Sequence, residues 1–414
     1  MKDILRGLPV MLVMACTAMH SCEQAGEADG RITSDRDGML VIQGRRTFIV
    51  GSYYRYEGDS AFENMAQDGY NYVRVGKERA ALDQAWAHGL YSWVSIGYLE
   101  PGDGEEDIER FLATIKELKD HPGLLCWETQ DEPAFTWNSS ALRVMPEPLI
   151  ETYEKIKQAD PEHPVYMNHG PVNLVSTLRR YNPANDVIAC DIYPVIPEGI
   201  RPMYALFPDG KQGDLLNTYI SQVGEYTDKM RKVGGVSRPL FMVLQGFSWE
   251  MLRPVKDRRP DMILYPDYHQ TRFMAYHAII HGANGILYWG TRYTLPDVSF
   301  WKDLKRVTRE LGGMQKVLAA PAGELEIGMR YHELGHSVDA GVEILIKEQE
   351  DGLCLITANA DRYPVKVTLG GLDGYRQASV FQENRILVIE DGELTDDYRA
   401  FDVHVYSLTR SPRP

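Results

Sequence analysis

Along residues 47–317, short apolar runs alternate with stretches in which apolar residues recur every three or four positions. The runs fall at residues 47–54, 70–76, 91–98, 124–133 (a strand with the loop it runs out into), 165–168, 187–193, 240–244 and 285–288. Their length and their enrichment in Val, Ile, Tyr and Trp predict short strands buried on both faces. Between them lie predicted helices at 60–68, 78–88, 105–119, 146–158, 174–181, 215–233, 270–281 and 300–317. The segment 105–119 shows the period plainly, with Ile108, Phe111, Leu112, Ile115 and Leu118 on one face. Gly89 and Gly282 stand where two of the helices should stop. Eight buried strands alternating with eight helices predict a (β/α)₈ barrel, the TIM-barrel class of α/β fold, over residues 47–320. A doubly wound sheet is the other α/β option, but no glycine-rich phosphate fingerprint follows the first strand.

Before the barrel, residues 23–46 read as a linker and a β-hairpin, with turns at Asp37-Gly38 and Gln43-Gly44. Beyond it the period changes to two. Seven alternating runs between residues 326 and 406, separated by turns such as Asp351-Gly352 and Asp391-Gly392, predict a C-terminal antiparallel β-sandwich over 321–414. Residues 250–268, with three prolines, make a long loop after the seventh strand, of the kind that is usually either functional or disordered.

Composition narrows the classes. A net charge of −15, with acids spread along the chain, lacks the basic footprint that nucleic acid requires. Cys126, Cys190 and Cys354 are isolated in strand-like contexts and make neither a metal nor a disulfide pattern. His277 and His281 stand four apart on a predicted helix, as zinc ligands do. No carboxylate or third His accompanies them in sequence, so they read as buried, hydrogen-bonded side chains, and no metal or cofactor is expected. Nor does a G-x-S-x-G nucleophile motif occur. The most chemically loaded stretch is Trp127-Glu128-Thr129-Gln130-Asp131-Glu132-Pro133, where a buried strand runs out into adjacent carboxylates. Pro133 cannot extend the ladder, so the acids emerge at the carboxyl end of the strand, where barrel enzymes keep their chemistry.

That stretch resembles the W-x-x-x-N-E-P end of strand 4 in the clan of retaining barrel glycoside hydrolases. The resemblance implies that Glu132 is the general acid/base, with Asp131 replacing the usual Asn. Asn71-Tyr72-Val73-Arg74 is similar to the clan's strand 2 motif, whose arginine, here Arg74, lies under the nucleophile. Tyr193 and Trp289 match its aromatic rim positions. The nucleophile expected at the end of strand 7 is replaced by Gln245, and an amide cannot form a glycosyl ester.

Three outcomes stay open. A second rim acid, Asp191 first and Glu250 second, could complete a two-carboxyl hydrolysis, with Gln245 and Asp191 bracketing the scissile bond. The substrate could bring its own nucleophile, with Asp131 orienting it. Or the groove could be a glycan-binding platform on which Tyr53, Tyr54, Tyr193, Trp249 and Trp289 stack against sugars. Asn168 and His169, after strand 5, either contact substrate or cap their loop.

The N-terminus is set apart. Lys2 and Arg6 precede an apolar run over residues 8–19 that ends at Cys22. This is similar to a bacterial lipoprotein signal over residues 1–22 with Cys22 lipidated; Cys16 is a second candidate, and an ordinary secretory signal the fallback. The expectation is a cell-envelope protein acting on carbohydrate, tied to a membrane only through that lipid.

Overall fold

The computed structural model describes residues 32–135, 141–199, 217–333 and 338–410. Cys22 and the signal segment lie outside the described residues. Among the described residues no helix is long and apolar enough to cross a membrane.

The segment read as one hairpin is a small three-stranded antiparallel sheet, β1 (Ile32–Ser34), β2 (Leu40–Ile42) and β3 (Arg45–Thr47). The barrel then opens with β4 (Ile49–Ser52). It continues through β5 (Tyr72–Val75), β6 (Tyr91–Ser95), β7 (Leu124–Glu128), β8 (Val165–His169), β9 (Val187–Ile192), β10 (Leu240–Gln245) and β11 (Gly285–Trp289). These eight parallel strands close on themselves through the β11–β4 pairing. Asn71, the first residue of the N-x-x-R stretch, explains part of that closure. Its side chain accepts from Val50 N at 2.9 Å and donates to Phe48 O at 2.9 Å, fastening β5 to the start of β4.

The helices between strands are α1 (Ala61–Gln67), α2 (Arg79–Trp86), α3 (Glu105–Leu118), α4 (Pro146–Ala159), α5 (Val175–Arg179), α6 (Gln222–Gly234), α7 (Tyr268–Ile280) and α8 (Ser299–Gly313), followed by the short α9 (Gln315–Leu318). Helix α7 starts two residues before its predicted position because Asp267 caps it. Asp267 accepts from Gln270 N at 2.8 Å while the Gln270 side chain accepts from Asp267 N at 3.1 Å, a reciprocal capping box.

The C-terminal strands are β12 (Gly328–Tyr331), β13 (Val342–Gln349), β14 (Gly352–Asn359), β15 (Val365–Gly370), β16 (Tyr375–Val380), β17 (Arg385–Val388), β18 (Leu394–Tyr398) and β19 (Val403–Arg410). They form a sheet of order β13-β14-β19-β16-β17 and another of order β12-β15-β18, the expected sandwich. The pattern missed β18. Its inward positions are Leu394, Asp396 and Tyr398, and the buried acid in the middle breaks the apolar alternation. Asp396 is tolerated there because Arg385 and the Tyr406 hydroxyl, each at 2.8 Å, donate to it.

Strands β14 and β19 are apolar on both faces, and each face has its own partner. Leu355, Tyr406 and Leu408 enter the sandwich core, whereas Cys354, Ile356, Ala358, Val403 and Val405 join the core of the barrel. The joint also holds a buried ion pair. Arg272 on α7 lies 2.8 Å from Glu310 on α8 and donates to Val403 O at 2.6 Å, and the Tyr276 hydroxyl donates to Glu310 at 2.7 Å. Removing one partner strands a charge in a dry site, which typically costs about 3–5 kcal/mol. Glu310→Ala is therefore expected to lower unfolding free energy by that order in urea titration, and a change below about 1 kcal/mol would contradict this role.

Candidate active site

Side chains alternate along each strand, so residues two apart share a face. Tyr72, Trp93, Tyr166 and Phe241 meet inside the barrel. Trp93 stacks on Tyr72 at 4.6 Å, and Tyr166 stacks on Phe241 at 6.1 Å. Two residues further along the same strands, above this aromatic plug, the inward positions are Arg74, Ser95, Asn168 and Val243. Tyr53 seals the plug, with its hydroxyl 2.7 Å from that of Tyr166 and its ring edge-on to Trp93 at 5.2 Å.

On this floor sits a group of four acids. Glu128, the last residue of β7, is buried and 3.0 Å from the Arg74 guanidinium, though out of line for a hydrogen bond. Burial pushes its carboxyl up to about 7, with Arg74 opposing and Asp131 adding to the rise. Glu132 has a left-handed backbone, φ 46°, held by its N–H donating to Asn168 O at 3.0 Å. An L-residue adopts that conformation at a cost, and such strain gathers at sites where side-chain direction matters. Gly170 leaves the space for this side chain, since a Cβ there would meet Glu132 Oε1 at 3.0 Å.

The Asn168 amide donates to Asp131 at 3.0 Å and to Asp191 at 3.2 Å. Asp191 is in turn hydrogen-bonded to Glu132. Two carboxyls in that contact share a proton, because both cannot be charged at such a distance. Burial, and then the Asp131 charge, raise Glu132 to about 7, while Arg143 at 3.7 Å opposes the rise. Burial, and then the Glu132 and Asp131 charges, hold Asp191 well above the usual carboxylate range. At neutral pH the group therefore keeps at least one proton at the mouth of the barrel.

Several expected residues have other work. Gln245 accepts from Val195 N at 2.9 Å and donates to Val195 O and Phe247 O at 2.9 and 3.0 Å, so its amide is spent fastening the loop after β9. It does not bracket a bond with Asp191. Glu250 is buried and accepts from Arg259 N at 2.6 Å and from Arg253 at 3.2 Å, which folds the proline-rich loop on itself. His169 is not a rim residue. Asn168 takes the inward position, so His169 turns out against Tyr181, fully buried, and burial pushes its imidazole down to about 4.

The aromatic residues form a continuous wall. Tyr193 stacks on Trp289 at 5.6 Å, and Phe247, absent from the expected set, lies 5.1 Å from both. Tyr193 and Tyr53 are buried, whereas Tyr54, Trp249 and Trp289 are half-buried. A cleft of about 680 Å³ is lined by Tyr53, Tyr54, Arg74 and Ser95 together with Phe62 and Gln84, on the β4–β6 side of the barrel mouth. Glu128 and Arg143 were missed in the sequence. Parity with Cys126 along β7 marks Glu128 as inward-facing, but no local signal marks Arg143.

A scan against protein-family models found no match, and neither did a search of the curated proteins. Solved structures do match in fold. The chain is similar to a structure titled only as a glycoside hydrolase, at 15% identity and TM-score 0.59, over 93% of this chain and 98% of that one. It is also similar to a glycoside hydrolase family 5 protein from Bacteroides vulgatus, at 12% identity and TM-score 0.58, over 93% of each. An Anoxybacillus α-amylase matches at 9% identity and TM-score 0.55, over 89% of this chain and 99% of that one. At these identities the likeness establishes a glycoside-hydrolase-like fold, an eight-stranded barrel with a β-sandwich.

Raised carboxyl pKa values have a defined effect on stability. Glu128 and Glu132 titrate higher in the folded chain than in the unfolded one, so the folded state binds more protons between about pH 4.5 and 7. Their favourable contribution is complete below the unfolded value and is lost as pH rises through about 7. Asp131→Asn removes a charge that raises Glu132, so the Glu132 carboxyl resonance in ¹³C NMR should titrate lower in that variant. An unchanged or higher midpoint would contradict the assignment.

Proposed function

We propose that the protein cleaves glycosidic bonds with Glu132 as the proton donor. The feature that carries this reading is the Glu132–Asp191 carboxyl pair at the carboxyl end of the barrel, both of whose members are shifted upward by burial and neighbouring charge. A general acid works best when its pKa lies near the working pH, and protonating a glycosidic oxygen is the demanding half of the reaction. Half-buried Trp249, Trp289 and Tyr54 supply flat faces for sugar rings.

The attacking group is the unusual part. Two-carboxyl hydrolysis needs roughly 5–5.5 Å between the acids for retention, or roughly 6.5–9.5 Å for inversion. A hydrogen-bonded pair leaves no room for a sugar carbon or a water between its members. Gln245 has no acid to offer, Glu250 is committed to its loop, and Glu128 is buried on the floor against Arg74. Among the described residues, the acids around Glu132 therefore favour attack by a group of the substrate itself, such as the oxygen of a 2-acetamido substituent, with Asp131 steadied by Asn168 to orient it. A second reading, a non-catalytic glycan-binding component of the cell envelope, is favoured by the amide at Gln245. The lipid anchor at Cys22 belongs to the same proposal about location.

Paired aryl glycosides with and without the 2-acetamido group test the mechanism. Turnover confined to the acetamido sugars, falling about 10²–10⁴-fold in Glu132→Gln while sugar binding persists, is the expected result. Equal turnover of both sugar types would overturn substrate assistance. Binding with no turnover by the wild-type chain would establish the platform reading instead.

A further inference from the structure

The two histidines set aside for want of a third ligand acquire one in three dimensions. His277 in the last turn of α7 and His281, the residue that caps its C-terminus, lie side by side, and β13 of the sandwich brings Glu343 up to them. The Nε2 atoms of His277 and His281 are 3.2 Å apart and lie 2.7 and 2.8 Å from Glu343 Oε2. One ligand atom from each residue thus falls within a single small volume. We propose that His277, His281 and Glu343 bind a zinc-type divalent metal ion that clasps the barrel to the sandwich.

Distances, surroundings and access each bear on this. Zinc bonds of about 2.0–2.2 Å to imidazole nitrogen and carboxylate oxygen set tetrahedral ligand–ligand edges of about 3.3–3.5 Å. The nitrogen–nitrogen separation is already close to that value. Glu343 need only retreat by about half an ångström to open the site. Helix α6 makes room for the two rings with Gly224, where a Cβ would meet His277 Cε1 at 2.4 Å and His281 Nε2 at 2.5 Å. Asp228, also on α6, lies 2.9 Å from His281 Nδ1, the carboxylate-behind-histidine arrangement that orients a metal-bound imidazole. Phe273 stacks on His277 at 4.7 Å and fixes its ring from the other side. His281 and Glu343 also line a surface cleft of about 520 Å³, which gives an ion and a water, as fourth ligand, a path in.

Loading the site has a defined proton balance. In the metal-free arrangement Gly224 N–H points at His277 Nδ1 at 3.1 Å, which places the His277 proton on Nε2, toward Glu343. His281 faces a carboxylate through each nitrogen and carries two protons. Coordination through both Nε2 atoms releases one proton from His281 and moves the His277 proton to Nδ1, where it would face the Gly224 N–H at 3.1 Å, so the His277 ring must turn away from that contact as the site loads. Gly224 N–H then relies on its other acceptor, Ser221 O, also at 3.1 Å. The same residues without metal form a hydrogen-bonded clasp, so the experiment must separate the two.

The untagged full chain, stripped with EDTA and dialysed, is titrated with Zn²⁺ by calorimetry and with Co²⁺ by visible absorption. The expected result is one equivalent bound, a four-coordinate cobalt spectrum and a thermal midpoint raised by Zn²⁺. Glu343→Gln keeps a hydrogen-bond acceptor and should fold, yet it should lose at least tenfold in affinity and lose that spectrum. Asp228→Asn should weaken binding roughly 10–100-fold. No stoichiometric binding at tens of micromolar metal, or Glu343→Gln and His281→Gln variants that bind like the wild type, would overturn the metal site and leave the hydrogen-bonded clasp.

Discussion

Asn168 holds the candidate site together. Its main-chain carbonyl accepts the Glu132 N–H and so supports a left-handed residue that would otherwise relax. Its side-chain amide, with two N–H bonds and no charge, donates to Asp131 and Asp191 at once. Three carboxyls this close repel one another, and a neutral two-pronged donor offsets the repulsion without neutralising the group. A lysine there would pull every carboxyl pKa down and remove the held proton. The barrel supplies the geometry: β8 lies between β7 and β9, so only a β8 residue reaches acids on both sides.

The acids depend equally on what lies beneath them. The stacked rings of Tyr72, Trp93, Tyr166 and Phe241 exclude water from the barrel interior, and burial is the largest cause of the raised values at Glu128, Glu132 and Asp191. Arg74 answers only one of them. It lies against Glu128, so its charge fixes the cleft floor and leaves the Glu132–Asp191 pair to share its proton. Gln245 fits the same logic. Its amide satisfies both the N–H and the carbonyl of Val195 in a buried loop, which a carboxylate, having no donor, could not do. The loop after β9 is therefore built around an amide at this position.

What could be read in the chain beforehand follows from period. Buried parallel strands are apolar throughout, so all eight announced themselves, and the acids at the end of β7 were visible because they interrupt that pattern. Side-chain parity was harder. Asn168 and His169 are equivalent as sequence, and only pairing with β9 makes Asn168 the inward residue and sends His169 to Tyr181. Strand β18 was hidden by Asp396, whose partners Arg385 and Tyr406 come from other strands. Glu250 looked like a rim acid because no sequence rule shows that its oxygen would serve Arg259 N, nine residues on. Such long-range satisfaction of a buried polar group is a property of the fold rather than of the local sequence.

Helix α7 shows where that limit bears on the whole molecule. From Thr271 to Ile279 every residue is buried, so it has no polar face and no clear amphipathic period. Barrel strands β10 and β11 cover one side of it, and β13, β14 and β19 of the sandwich cover the other. A helix enclosed in this way must satisfy its polar side chains by partners in both units, and it does. Arg272 and Tyr276 reach Glu310 on α8, and Arg272 also reaches Val403 O on β19, while His277 and His281 reach Glu343 on β13. Displacing the sandwich would expose the apolar face of α7 and break these polar links together. The sandwich is thus the outer wall of the barrel on this side, and strands β10 and β11, which end at Gln245 and Trp289, are held in place through it.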